Sequence, residues 1–418
     1  MFLVLAFLMG NSESLRSGTY HPPAKMDIEQ LQHVRKEHAR SVNDFGKDLL
    51  LTTDKPGSNT FISPLSVYDA LSIVAFGAAN RTLDQFKHIF HLDTSNSAED
   101  LVTVAGLLTT AKQRENTPPL FTEANSIWLS NTLSVNPDFL ANADRAFDAT
   151  AKKLNFGSPQ AAQTINKWVD TQTHGMIKNI IDSLSADIRA VIVNTIYFKM
   201  DWQSKFDAMK TNDGFFKLFN SGRVKVKMMN QEGQMEYIRN DKMSAVVLPF
   251  ENPFANMLIV LPKDDTEEAL RHCAESILSN DAFSAFVQSK KRLLVNLSLP
   301  RFSLECSYEL NDILKSMGLQ DAFTEDAQFP GISTERLAID AVIHKTKLEV
   351  TENGVAAAAA TAIMMRVMGF VDEPKIPTYF TVDRPFITAL FDSRTNQVFF
   401  SGIIRSVSSG ETNGHTEL

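Results

Sequence analysis

The sequence predicts an α+β domain built on large, mostly antiparallel sheets. Helical periodicity is concentrated in the first part of the chain, whereas short runs rich in Val, Ile, Leu and Phe dominate after about residue 190. Neither an internal repeat nor a long linker interrupts residues 30–405, so one large domain is the economical reading.

The helices come first. Glu37–Leu51 carries apolar residues at helical spacing, and Ser63-Pro64-Leu65-Ser66 opens a second helix running through Phe76. Ser63 suits an N-cap because its hydroxyl can accept from a free helix-end N–H, and Pro64 suits the first helical position, where no N–H is needed. Asn166–Ile181 reads as an amphipathic helix with Trp168, Val169 and Ile177 on its apolar side. Strands follow at Ile192–Phe198, Ala245–Phe250, Asn256–Leu261, Leu293–Leu299 and Gln397–Ile404.

Composition removes several function classes. The chain has 418 residues, 44% of them apolar and 22% charged, with a net charge of −8. Nucleic acid and heparin-like glycans need a basic face, so neither is an expected partner. The one dense basic run, Lys290-Lys291-Arg292, reads as a solvated helix end. Cys273 and Cys306 are too few for a disulfide framework and read as thiols. His88 and His91 stand three apart without the cysteines or HExxH frame of a metal site, so no metal or cofactor is expected. Neither a G-x-S-x-G elbow nor a phosphate-binding loop is present, which leaves an enzyme without a nucleophile–base pair.

The two ends carry address information. Phe2–Met9 is continuously apolar and precedes small polar residues, so residues 1–14 resemble a signal peptide, and the stretch is too short to span a bilayer. A polar tail over 408–418 ends in His415-Thr416-Glu417-Leu418, close to an endoplasmic-reticulum retrieval signal. The expected localisation is the secretory pathway, retained in the endoplasmic reticulum or secreted. Asn80-Arg81-Thr82 is a glycosylation sequon at a helix end, whereas Asn296-Leu297-Ser298 sits inside an apolar strand and is expected to stay unmodified.

The informative stretch runs from Leu348 to Phe370. Leu348–Thr351 alternates like a strand, and Gly354 gives a freely rotating hinge. Ala356, Ala357, Ala358, Ala359 and Ala360 follow. An alanine run taken alone is best read as helix. Against that stand the missing capping charges and the extended Asp372–Pro377 stretch behind it. Small side chains also lose little rotamer entropy on burial and slip easily between two strands.

At this point the chain resembles the serpin family, over about residues 36–405. The motifs that carry the resemblance are Asn59–Ser66 with Ala70–Ser72 and Gly77-Ala78, Asn194–Lys199 with Trp202 and Phe206, and Leu299–Phe302. They continue with Leu314–Phe323, Phe329–Ile332, Ile343–Lys345 and Asp383–Phe386. Each motif is weak alone; their order along the chain is what identifies the family.

The resemblance implies three β-sheets surrounded by eight to nine helices, with residues 15–407 as the serpin domain. It also implies an exposed reactive loop standing outside the main sheet from Gly354 onward. A serine protease, met by a monomer, would cut the loop, form an acyl-enzyme and be trapped covalently as the loop inserts. Burial of Val355, Ile363 and Met365 would supply on the order of 10 kcal/mol. By the same resemblance Glu352, Gly354 and Val355 with the five alanines form the hinge. Ser63, Ser66, Asn194 and His344 match the shutter, where polar groups bridge the strands that must part. Trp202 and the pair Arg301–Glu352 match the point where insertion begins.

Val355 departs from the Thr or Ser usual after the hinge glycine, but its β-branched side chain suits a strand. Fourteen residues beyond Gly354 the scissile residue would be Met368, with Gly369 after it, which suits a chymotrypsin- or elastase-like protease. Arg366 before Val367 is the trypsin-like alternative, and Phe370 a third. A non-inhibitory serpin acting as chaperone or carrier is the alternative function.

Overall fold

The computed structural model describes residues 28–92, 98–114, 121–219, 222–355 and 376–407. The loop alanines Ala356–Ala360, the candidate scissile residues Arg366, Val367, Met368, Gly369 and Phe370, the apolar leader and the His415–Leu418 tail lie outside the described residues.

Among the described residues the helices are α1 (Ile28–Thr53), α2 (Pro64–Phe76), α3 (Asn80–Ile89), α4 (Ala98–Arg114), α5 (Pro137–Arg145), α6 (Ala161–Gln172), α7 (Glu267–Ile277), α8 (Asn280–Gln288) and α9 (Asn311–Met317). The first strands are β1 (Thr60–Ile62), β2 (Thr122–Ser130), β3 (Thr150–Leu154), β4 (Ala190–Tyr197), β5 (Met200–Asp201), β6 (Asn212–Lys217), β7 (Arg223–Arg239) and β8 (Met243–Pro249). Then come β9 (Ala255–Pro262), β10 (Lys291–Pro300), β11 (Phe302–Glu309), β12 (Ala341–Val350), β13 (Gly354–Val355), β14 (Thr378–Thr381), β15 (Phe386–Asp392) and β16 (Gln397–Ile404).

The chain divides into two compact units, each assembled from separated stretches. The first takes the described residues up to Thr53 with Ile62–Tyr197 and Ser307–Thr346; the second takes Asp54–Phe61, Phe198–Cys306 and the residues from Lys347 onward. In the first unit the sheet order is β3-β2-β4-β12, with β11 also pairing β12. Trp128, Phe156, Ile165, Val169, Ile177, Val191 and Val193 close a core that joins α6 to this sheet. Strand β12 alternates strictly: Val342, His344, Thr346, Leu348 and Val350 are buried, and the residues between them are half-exposed.

In the second unit the ladder runs β1-β16-β15-β9-β8-β7-β10-β14, and β6 also pairs β7. The seventeen residues of β7 serve two groups of strands. Its first residues pair β6 and its last pair β8, so two of the three expected sheets are continuous through it. The C-terminal strand is tied down by Arg405, which donates two 2.8 Å bonds to the fully buried Asp54 carboxylate and two more to Glu267 Oε1.

Local chemistry explains the helix ends. Ser63 caps α2, accepting from Ser66 N at 3.3 Å, with Pro64 in the first turn as expected. Asn136 and Pro137 repeat the device at α5, and Thr266 caps α7 ahead of Glu267 and Glu268. One expectation is corrected: the helix expected over Asn166–Ile181 is α6, which starts at Ala161 and stops at Gln172. His174 and Gly175 take positive φ, Gly175 N donates to Asp170 O at 2.8 Å, and Thr173 Oγ1 bonds the chain on both sides. Ile177 still reaches the core, but from irregular chain.

Candidate functional site

The hinge is built in the second unit. Beyond Val350 the chain turns over Thr351–Asn353 and comes back as β13, which pairs Val355 with Val350 of β12. On its other side β13 pairs Gly354 with Asp201 and Val355 with Met200 of β5. Trp202 latches the turn: its indole Nε1 donates to Thr351 O at 2.9 Å, and its backbone N–H to Asn353 O at 2.8 Å. The indole is itself held by stacking on Phe250, with ring centroids 4.6 Å apart.

Gly354 is required by space: a Cβ there would lie 2.2 Å from Met200 O and 2.5 Å from Asp201 Cα. Glu352 is buried beside the turn and accepts from Arg301 at 2.5 Å and from Thr211 Oγ1 at 2.8 Å, both at Oε1. Burial works against its charge, but these hydrogen bonds outweigh it and hold the carboxyl below the usual range. Arg301 is fixed in turn by its backbone N–H, which donates to Lys227 O at 2.7 Å.

The expectation that the chain leaves the sheet at Gly354 is therefore corrected. Gly354 and Val355 already sit in the ladder, with Val355 fully buried. The absent Cβ admits the first residue and an apolar side chain rewards burial of the second. Burial of Val355 consequently adds nothing further to the driving force of insertion.

The second cluster lies in the first unit. Ser63 N donates to His344 Nε2 at 3.1 Å, which makes that nitrogen the acceptor and places the ring proton on Nδ1. Nδ1 then donates to Asn194 Oδ1 at 2.5 Å. The Asn194 amide N–H group faces Ser66 O at 2.8 Å, Asn125 Oδ1 at 2.5 Å and Ser66 Oγ. Ser63, Ser66, Asn194 and His344 are all at most 1% exposed, and burial pushes the imidazole down to about 3, so it is neutral. In this unit β4, which carries Asn194, lies directly beside β12, which carries His344.

Sequence reasoning thus named two groups of residues that the fold brings together, and missed a partner in each. Asn125 carried a signal as a polar residue, next to Ser126, at the head of the apolar run Ile127–Leu129. Thr211 lies in a turn and had none. Asn80 is exposed at the start of α3 and donates to Gln328 at 2.7 Å, while Thr82 is buried. Cys273 and Cys306 are not joined in a disulfide. Among the described residues no helix is long and apolar enough to cross a membrane.

A family model described as serpin (serine protease inhibitor) matches residues 40–407. The chain belongs to the serpin family. An uncharacterised serpin-like protein of Thermococcus kodakarensis is 35% identical over 392 residues, covering 93% of this chain and 90% of that protein. Human leukocyte elastase inhibitor is 32% identical over 366 residues, 85% of this serpin and 94% of the inhibitor. Among solved structures, the thermophilic serpin tengpin in its native state superposes with a TM-score of 0.81 at 27% identity, covering 93% and 97% of the two chains. The serpin fold expected from the sequence is the fold observed.

Proposed function

We propose that this serpin inhibits a serine endopeptidase by suicide-substrate trapping. The observation that carries the reading is the direct adjacency of β4 and β12 in a chain whose hinge already has its first two residues in strand geometry. The main sheet is closed, and the entering strand has been started.

The target's serine oxygen attacks the Met368 carbonyl. The bond to Gly369 breaks, its amine leaves with a proton, and Met368 stays esterified to the protease. The freed arm then follows Val355 into the sheet as an extra antiparallel strand, carrying the protease with it before water reaches the ester. Ser63, Ser66, Asn194 and His344 hold the parting strands. Glu352 with Arg301 and Thr211 braces the entry, and Trp202 anchors its turn. Similarity to leukocyte elastase inhibitor supports an elastase-like target; cleavage after Arg366 by a trypsin-like protease is the competing assignment. The apolar leader and the His415–Leu418 tail support residence in the secretory pathway, which imaging of the full chain with and without its last four residues tests.

The deciding experiment mixes the protein with elastase, chymotrypsin and trypsin in turn. A detergent-stable complex with one of them is expected, and the mass of the released C-terminal peptide identifies the cut bond. Cleavage without a complex, followed by an unchanged melting temperature, would assign the chain to the carrier or chaperone class.

A further inference from the structure

We infer that Asn296 carries an N-linked glycan whose first sugar lies on the ring of Tyr379. The expectation that Asn296-Leu297-Ser298 stays unmodified rests on the apolar character of its strand. In the fold β10 shows that character on one face. Val295, Leu297 and Leu299 are 0% exposed, whereas Leu294, Asn296 and Ser298 alternate to the other side and are half-exposed. A glycan is bulky and belongs on the surface, and both sequon side chains stand on the solvent side.

The register places Asn296 in a row across three strands. It pairs with Glu232 of β7 on one side and, in parallel, with Tyr379 of β14 on the other. Both neighbours are exposed, Tyr379 at 72%. Asn296 Nδ2 donates to Glu232 Oε2 at 3.3 Å. That bond uses one of the two amide hydrogens, and the sugar takes the place of the other. The next row is more crowded: Ser298 Oγ donates to Asn230 Oδ1 at 2.6 Å, and Asn230 Nδ2 to Lys210 O at 2.8 Å. The room above Asn296 therefore lies toward Leu294 and Tyr379.

Tyr379 is the second observation that points to a sugar. It stands on the end strand of its ladder, where an open aromatic ring invites chance pairing between molecules. Neighbouring strands lie about 4.8 Å apart, so a sugar on Asn296 reaches the ring. Its C–H face covers the apolar body of the tyrosine while the phenol and the sugar hydroxyls stay in water.

The inference rests on the proposed residence in the secretory pathway, which supplies the donor, an oligosaccharide joined through C1 of N-acetylglucosamine to a lipid pyrophosphate. Asn296 Nδ2 forms the new bond to C1 and gives up one proton. The bond between C1 and the pyrophosphate oxygen breaks, and the lipid pyrophosphate leaves with that electron pair. Transfer acts on the extended chain, so the fold decides whether the product can be housed, and the outward row of Asn296 houses it.

The test translates the full chain beside sealed microsomes that hold the lipid-linked donor, and added protease distinguishes chains inside from chains outside. Protected chains should lose one gel step in Asn296→Gln and the same step in Ser298→Ala, separately from the step at Asn80 that Asn80→Gln removes. Agreement between the two variants, one of which keeps the asparagine, reports the sugar and not a folding defect. For the stacking, the glycosylated Asn80→Gln protein is melted beside the same protein made without donor. The glycan should raise the melting temperature by about 2 °C, and Tyr379→Ala should abolish that difference. Protected chains with an unchanged gel position in Asn296→Gln would overturn the proposal, and so would a difference in melting temperature that survives Tyr379→Ala. Chains left outside would overturn the secretory reading itself, and this inference with it.

Discussion

The hinge and the shutter cluster are both arranged around polar side chains, but their physics differs. The shutter is sealed: His344 is 0% exposed and neutral, and its partners are neutral amides, hydroxyls and backbone. The hinge keeps a charged pair, with the Arg301 side chain 38% exposed and Glu352 9% exposed. A neutral buried network has no solvent to replace a lost partner, so it answers to geometry and to protonation. A half-exposed ion pair answers to salt and to substitution, and weakly. The contrast places the stability of the closed sheet with the first cluster and the ease of opening with the second. Three experiments break or sharpen that division.

The largest effect is expected at Val355. Its side chain is fully buried between Val350 and Met200, where a carboxylate would be charged and without partners. Val355→Glu should expel the hinge from the ladder and turn the inhibitor into a substrate, with the yield of detergent-stable complex reduced at least about tenfold while cleavage persists. Val355→Thr keeps the β-branch and should retain the complex. Gel densitometry of complex against cleaved chain separates the outcomes, and an active Glu variant would remove the seated hinge from the mechanism.

Val355 also marks the limit of what could be read in advance. The cap of α2 was legible because Ser63 and Pro64 act on their own neighbours, and the strand runs because burial on both faces writes continuous apolar sequence. Strand β7 was not legible: much of it is exposed, and Lys, Gln and Glu dilute its alternation. The end of α6 was misplaced because His174 adopts a left-handed conformation that its residue type does not announce. Ser63, Ser66, Asn194 and His344 were legible only through family motifs, since their contacts span up to 281 positions. The seated Gly354–Val355 pair was not foreseen. It depends on the space left beside Met200 O, which is a property of the fold and not of the hinge sequence.

A smaller effect is expected from acid acting on the sealed cluster. An unfolded His344 takes a proton near its ordinary value of 6.5, whereas in the fold burial delays protonation to about 3. Between those values the unfolded chain binds more protons, so the stability contributed by His344 is complete above pH 6.5 and is lost as the pH falls. From pH 7.5 to pH 5 the loss is about 2 kcal/mol, at about 1.4 kcal/mol per unit below 6.5. His344→Gln removes this titration, so the difference in unfolding free energy between the two proteins, from the midpoints and slopes of their urea curves, should narrow by that amount over the same range. A difference that stays constant would exclude His344 as the acid-sensitive group.

The smallest effect is expected at Arg301 and Glu352, although the two touch at 2.5 Å. Arg301 is more than a third exposed, so water and salt share its charge, and Thr211 continues to bond Glu352 Oε1 after the arginine is gone. A double-mutant cycle with Arg301→Ala and Glu352→Gln should give a coupling of about 1 kcal/mol or less, falling further at 1 M salt where the screening length is about 3 Å. The two variants should form the protease complex at altered rates and to nearly full yield, because the ladder between β13 and β5 does not depend on them. A coupling of several kcal/mol, insensitive to salt, would mean that the ion pair holds the closed sheet as the sealed cluster is argued to do, and the division between the two regions would fail.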